Sequence, residues 1–414
     1  MTDTRRVVLL MIPFAGYDRG LLEGIARYAQ LYGPWVFCLA GDHPGVPMPV
    51  SDSTSGEVLQ VKSDSGSRRG APLHLRRLGA TGIIGRIQTS VIARTVLGSG
   101  LPLIAIDLSE KQLAGNSPLS KISEICADSH NAGRVAAEHF LDRGFTHFAF
   151  CGYAGRIWSQ RRQEGFCERL QESQFSCHVY ERHRGKLALP WDHEQRLLTS
   201  WLHSLPKPVG VMACNDVRGC QIIEASLAAG LQVPDDVAVV GVDEDRLLCR
   251  LAHPSLSSVT LNLERAGYKA AELLDGLMSG RIREPRRILV EAMWVIPRRS
   301  TDVVAIEDRH VATAARFIRD HFSQAITVDD VVQEARISRR GLEICFQRSL
   351  GRSIRREIQR VRLAWSKKLM VETNLSAEKI AEISGFSSLS YMSSVFRREF
   401  GMTMAEYRRQ SRNP

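Results

Sequence analysis

Over the first three hundred residues, short apolar runs alternate with amphipathic segments. RVVLLMIPF predicts a buried strand over residues 6–14. The next segment predicts a helix over 20–33, with Leu21, Leu22, Ile25, Tyr28 and Ala29 on one face. WVFCLAG reads as a second strand. Residues 42–70 are rich in Gly, Pro, Ser and Asp without periodicity and read as a long loop or insertion. GIIGRI, PLIAIDL and EICAD then read as strands, with helices near 90–98 and 131–143. A second round follows: HFAFCGY, a helix over 159–171, a weak strand CHVYE and a helix over 193–203. VGVMACND, a helix over 217–229 and VAVVGVDED complete it. Apolar strands alternating with helices imply parallel sheets covered on both faces, and two rounds imply two similar lobes.

The pattern changes after RRILVEAMWVIPRRSTD, which reads as a strand with a basic, polar exit. Beyond it lie only helices, starting with one over 309–322. Residues 328–351 and 376–401 carry the same device twice: a short amphipathic helix, a tight break, a helix opening on serine, and a glycine stop. A long helix over 354–372 separates the copies and carries Arg360, Arg362, Lys367 and Lys368. The expected organisation is a two-lobed α/β domain over 5–300, with lobe crossovers near 144 and again near 245–290. A linker over 301–306 and an all-α tandem helix-turn-helix domain over 307–412 follow.

Charge sharpens this division. The chain of 414 residues has a net charge of +10, and residues 307–414 hold 20 Lys and Arg against 13 Asp and Glu, a net +7. A basic helical domain joined to a nearly balanced one points to a polyanion partner, and its coincidence with the duplicated helix-turn-helix device makes double-stranded DNA the expected one. Nine scattered cysteines without a CxxC pair signal neither zinc nor a redox dithiol and suit a reducing cytoplasm. No apolar run reaches the ~18–20 residues of a membrane span. GxGxxG, GxxxxGK[ST], GxSxG and HExxH are all absent, so no enzyme, cofactor or metal is expected.

The helix openings supply candidate DNA contacts. Ser338 is a natural N-cap, followed by Arg339, Arg340 and Glu343, with Arg348 near the end. Arginine on the opening turns of a recognition helix suits guanine in the major groove. Gly341 sits awkwardly inside this helix. In the second copy Ser387 or Ser388 caps; Ser390, Tyr391 and Ser394 form the candidate groove face, and Val395 and Phe396 pack. Arg397 and Arg398 are placed for phosphates.

These residues carry a resemblance. Arg362-Leu363-Ala364, Ile380-Ala381, Gly385-Phe386-Ser387, Ser390-Tyr391, Phe396-Arg397-Arg398 and Phe400-Gly401 are similar to the arabinose-regulator (AraC/XylS) type of DNA-binding domain. That family usually has proline where Met404 stands and often phenylalanine at Met392. The first three hundred residues resemble the lactose/galactose-repressor sensor and the periplasmic sugar-binding fold, on Asn131, Arg162, Trp191, Asn215-Asp216 and Asp243 in order. The two parts in this order are similar nearly end to end to bacterial xylose-operon regulators, which Gly16-Tyr17-Asp18-Arg19 also matches.

The resemblance implies a neutral sugar effector, D-xylose, or else another aldose or a sugar derivative. It also implies a homodimer that acts with RNA polymerase to activate pentose-utilisation genes, with sugar-driven lobe closure changing how the DNA-binding domains are presented. An α/β enzyme fused to a DNA tether is the remaining alternative. Sugars are gripped by carboxylates and amides, an arginine fork and an aromatic plate. Asp18, Asp243, Asn215 and Arg162 supply the first kinds; Tyr17, Trp158, Trp191 and Phe14 supply the plate; Asn131 heads a helix beside the crossover. Asp107, Asp128, Asp216 and Asp243 all end apolar strands, where open α/β sheets bind ligands.

Overall fold

Residues 7–10 are fully buried at the end of strand β1 (Arg5–Leu10), which pairs in parallel with β2 (Trp35–Leu39) and β3 (Gly82–Arg86). A central strand covered on both faces has no polar side, so its sequence is a continuous apolar run. The computed structural model describes residues 4–39, 75, 78–115, 117–182, 191–303 and 308–412. The loop expected over 42–70 lies outside them. Helix α1 (Gly16–Tyr32) follows β1, and α2 (Ser90–Ser99), β4 (Leu103–Ile106), α3 (Glu110–Leu113) and β5 (Ser123–Ala127) follow β3.

The second round comprises α4 (Ser129–Leu141), β6 (His147–Tyr153), α5 (Ile157–Glu172), β7 (Cys177–Arg182) and α6 (Trp191–Ser204). It continues through β8 (Val209–Ala213), α7 (Asp216–Ala228), β9 (Val237–Val242), α8 (Arg246–Leu251) and β10 (Ser257–Leu261). Then α9 (Leu263–Met278) and β11 (Arg287–Val290) return to the first lobe, and β12 (Ala292–Ile296) rejoins the second. The first sheet has the order β11-β5-β4-β3-β1-β2, wholly parallel; the second has β12-β10-β9-β8-β6-β7, parallel except for β12.

Three chain segments cross between the lobes, at Asp128, Asn262 and Glu291, and they are bonded to one another. The Asp128 amide donates to the Val290 carbonyl at 2.9 Å, and the Asn262 amide to the Glu291 carbonyl at 2.9 Å. The crossover expected near 144 is therefore corrected to Asp128. Helix α4 already belongs to the second lobe, because it packs on α5 through glycines: a Cβ on Gly133 would stand 2.1 Å from the Arg162 carbonyl oxygen. Gly144 only ends that helix. Helix α9 packs on α1 in the same manner, a Cβ on Gly24 meeting the Glu264 carbonyl at 1.9 Å. The single strand expected before the basic exit is two strands in different sheets, split at Glu291. The first helix also starts four residues earlier than its apolar periodicity, at Gly16.

The described residues divide into two units: one up to Glu138 with His147–Thr301, the other His139–Thr146 with Asp302 onward. Half of the linker expected over 301–306, residues 304–306, lies outside the described residues. Thr301 itself is buried against the second sheet, its hydroxyl 2.7 Å from that of Ser257.

The helical unit runs through α10 (Arg309–His321), α11 (Val328–Ala335), α12 (Arg339–Leu350), α13 (Ile354–Glu372), α14 (Ala377–Ile383), α15 (Leu389–Phe400) and α16 (Met404–Arg412). It has two apolar cores. Val311, Ile318, Val331, Leu342, Phe346, Ile354 and Ile358 form one; Leu363, Met370, Ile380, Met392, Val395 and Phe396 form the other. The long α13 contributes its first half to one and its second half to the other, so a single rigid rod spaces the two helix-turn-helix units.

Candidate ligand cavity and DNA-reading face

Between the lobes, outside the carboxyl ends of both sheets, lies a cavity of about 270 Å³. The first lobe supplies a fixed charge cluster to it. Asp18, in the opening turn of α1 where the helix dipole favours an anion, is 1% exposed and accepts the Ile12 amide at 2.8 Å. Arg86, at the end of β3, donates to Asp18 from Nη2 at 2.8 Å and to Asp107 from Nη1 at 3.1 Å. Asp107 ends β4 with a left-handed backbone, φ 49°. Burial pushes its carboxyl above the usual range, and Arg86 pulls it back. The Arg86 guanidinium also stands 5.2 Å over the Tyr17 ring. Tyr17 is buried, its hydroxyl has no hydrogen-bond partner among the described residues, and burial raises that hydroxyl's pKa well above 10.

The second lobe answers with a similar group. Arg162 on α5 donates from Nη2 to Asp243 at 2.9 Å and from Nη1 to the Cys214 carbonyl, while its Nε is buried without a hydrogen-bond partner among the described residues. Its guanidinium lies 5.1 Å over the Trp158 ring. Asp243 follows β9 with φ 105°, and burial raises its carboxyl pKa, opposed by Arg162. Asn215 caps α7, its side-chain oxygen taking the Arg218 amide at 2.9 Å. The amide nitrogen remains as the donor it can offer. Asp216 is a support: its carboxylate takes the Ser258 hydroxyl at 2.5 Å and the Asp245 amide at 2.6 Å. Burial pushes its carboxyl pKa well up.

Of the residues singled out in the sequence for the sugar, Tyr17, Asp18, Trp158, Arg162, Asn215 and Asp243 line this cavity, as does Phe14. Asn131 and Trp191 do not. Asn131 is half-buried in the first turn of α4, beside the crossover. Trp191 packs against the α6–α7 core of the second lobe. Its aromatic character served that core, a role that a sequence cannot separate from a sugar plate. Arg86, Gln88 and Asp245 also line the cavity, beyond the residues that the sequence singles out. Arg86 left one signal, a cation terminating the apolar run GIIG.

In the helical unit, Ser338 caps α12 and Ser388 caps α15, each accepting the amide three residues on at 3.2 Å. A Cβ on Gly341 would stand 3.1 Å from the capping Ser338 Oγ and 3.2 Å from Ile337 Cδ1, a tight approach that a small shift of those side chains would relieve. The turns between helices are left-handed in both copies, at Arg336 (φ 52°) and Gly385 (φ 75°). Arg339, Arg340 and Arg348 are exposed and Glu343 is half-buried; Arg339 also pairs with Asp329 at 3.0 Å. In the second copy Ser390, Ser394, Arg397 and Arg398 are exposed. Tyr391 is half-buried, its ring edge-on to Phe386 and its hydroxyl accepting from Gln359 of α13, so it holds α15 in place. On α13, Arg355 and Arg356 are exposed, whereas three other basic residues have internal partners. Arg360 pairs with Glu357, Arg362 donates to the Phe322 and Gln324 carbonyls, and Lys367 lies over Phe400.

A two-lobed sensor fold with a closed-in polar cavity, followed by tandem helix-turn-helix units, defines a DNA-binding transcription regulator. Models of a periplasmic binding protein-like domain and of a helix-turn-helix domain match residues 137–301 and 331–410. The chain belongs to the family of the xylose operon regulatory proteins. It is 31% identical over 406 residues to that of Haemophilus influenzae, covering 97% of this chain and 98% of the relative. It is 29% identical over 413 residues to that of Escherichia coli K12, covering 98% and 97%. The solved structure of the xylose-binding transcription activator xylR is similar over 99% of both chains, at 27% identity and a TM-score of 0.57. These relatives are transcription regulators, not enzymes. No helix among the described residues is long and apolar enough to cross a membrane.

Proposed function

We propose that this regulator binds D-xylose between its lobes and, as a homodimer in the cytoplasm, activates transcription of pentose-utilisation genes together with RNA polymerase. The observation that carries the reading is the pairing of charge across the cavity. Arg86 with Asp18 and Asp107 faces Arg162 with Asp243. Guanidinium donors beside carboxylate acceptors suit the adjacent hydroxyls of a neutral sugar, which both donates and accepts. A sugar phosphate is disfavoured, because both guanidiniums are already matched by carboxylates and little positive field remains for a dianion. Tyr17 Oη and Arg162 Nε, buried without partners, gain them from a bound hydroxylated ligand. The relatives named for xylose support the choice of sugar.

The sensing domain is assigned to 5–300 and the DNA-reading domain to 307–412. Arg339, Arg340, Ser390 and Ser394 read bases, and Arg397, Arg398 and Arg348 position the protein on phosphates. Closure switches activity only because the sugar prefers one lobe arrangement to the other. A thermal-shift panel of pentoses and hexoses tests the assignment, since a ligand held by the native state alone raises Tm. A selective rise with D-xylose is expected; no rise with any free sugar refutes it.

A further inference from the structure

Arg19 and Asp245 stand on different lobes. Arg19 is on α1, against the first sheet; Asp245 caps α8, whose Cys249 sits in the second lobe's core. Arg19 Nη2 donates to Asp245 Oδ1 at 2.6 Å. The carboxylate is firmly held. Its Oδ1 also takes the Leu247 and Leu248 amides at 3.2 and 3.4 Å, and its backbone amide donates to Asp216 at 2.6 Å. The lobes touch beside the pair, where a Cβ on Gly16 would stand 2.6 Å from the Asp245 Cβ. Asp245 is 4% and Arg19 37% exposed at the side chain, so the pair sits at the cavity rim, sheltered on one side. The same short turn carries Asp243 to the cavity and Asp245 to Arg19, and it holds two consecutive non-glycine residues at positive φ, 105° and 52°. Such a turn persists only when its surroundings fix it, and it ties the ligand-facing carboxylate rigidly to the rim carboxylate.

We propose that Arg19–Asp245 is a latch between the lobes that sets the affinity of the cavity for its sugar. Rotation about the three crossing segments opens the cavity mouth and parts the pair, so it exists only in the closed arrangement. A contact present in one arrangement alone raises that arrangement's population, and a ligand that selects it binds tighter by the same factor. Arg19 is thus a positioning residue that acts without meeting the ligand. The proposal rests on the sugar-sensor reading above.

Calorimetry of D-xylose binding to the full chain tests it, with Arg19→Gln, Arg19→Lys, Asp245→Asn and the Gln/Asn double variant. Asparagine caps a helix as well as aspartate, so the α8 cap survives while the charge is lost. Each neutral single variant is expected to bind about tenfold more weakly, chiefly through faster dissociation. Arg19→Lys recovers most of the loss, and the double variant is no weaker than either single. Small-angle scattering without sugar shows a larger radius of gyration for Arg19→Gln, restored by saturating D-xylose. Unchanged affinity in both singles, or losses that add in the double, overturns the latch. If Asp243→Ala abolishes binding in the same series, the sugar reading stands without it. Absence of heat from every free pentose and hexose with the unaltered chain overturns both.

Discussion

Arg162 and Asp243 meet at 2.9 Å inside the second lobe, 81 residues apart in sequence, and each is incomplete. The guanidinium keeps an unpartnered Nε, and the carboxylate is strained upward in pKa by its burial. Truncating Asp243 leaves a buried cation without its partner and removes an acceptor from the cavity. Asp243→Ala is expected to lose D-xylose affinity by about 2–5 kcal/mol while salt-sensitive operator binding persists. Calorimetry and a gel-shift salt series check the two halves.

Tyr17→Phe separates stability from binding. Its hydroxyl is buried and unsatisfied, so removing it should leave the sugar-free protein unchanged or slightly more stable. A sugar hydroxyl then loses a partner, at about 0.5–1.5 kcal/mol of affinity. A chemical denaturation curve beside a D-xylose titration reads the opposed signs. A variant equally weakened in both places Tyr17 in the core alone.

Gly385→Ala should abolish operator binding and spare the sensor. Its φ of 75° disfavours any side chain, and a Cβ would stand 2.2 Å from the Phe322 carbonyl oxygen. Strain and overlap together cost about 2–5 kcal/mol, concentrated in the second helix-turn-helix unit. D-xylose calorimetry should be normal where gel shifts fail.

Arg340→Ala and Arg397→Ala should fail differently on DNA. Arg340, exposed on the opening turn of α12, is expected to cost about 1–3 kcal/mol on the specific operator and relax the preference at one base position. Arg397, on the last turn of α15, should weaken all sequences alike and lower the salt slope by about 1. An Arg340 variant with intact sequence preference removes that residue from the readers.

Glu357 ties the start of α13 to acid stability. Burial opposes its ionisation, but Arg360 and Arg352 more than offset this and hold its carboxyl at about 2, below the ordinary 4.5. A depressed carboxylate contributes stability above its unfolded pKa, and that contribution fades as pH falls from about 4.5 towards 2. By linkage, that contribution is on the order of a few kcal/mol. Glu357→Gln should lower the Tm of the helical unit at pH 7 and flatten its loss on acidification to pH 3.

Much of the molecule was legible along the chain. Strands buried on both faces, such as β1, β8 and β9, have no choice but a continuous apolar run. Helix-turn-helix units announce themselves through local chemistry: a serine cap, a left-handed turn and a glycine stop within about 24 residues. The two units bound the intervening α13, which the pattern predicts over residues 354–372. Tyr391 shows the limit. It lies on the expected face of α15, yet its hydroxyl is spent on Gln359, a partner 32 residues away.

The sequence by itself determined the two rounds of α/β alternation, the duplicated readers and the residue types fit for a sugar. These depend on periodicity and on contacts within a few residues, which the order of the chain contains. Only the tertiary structure decided where the lobes cross. Asp128, Asn262 and Glu291 are far apart in sequence and are brought side by side by the Asp128–Val290 and Asn262–Glu291 bonds. Only it joined Arg86 to Asp18 and Asp107, excluded Trp191 from the cavity and set Arg19 against Asp245. Each is a meeting across tens to hundreds of residues, where the local pattern is the same whether the side chain ends in a core, a cavity or a latch.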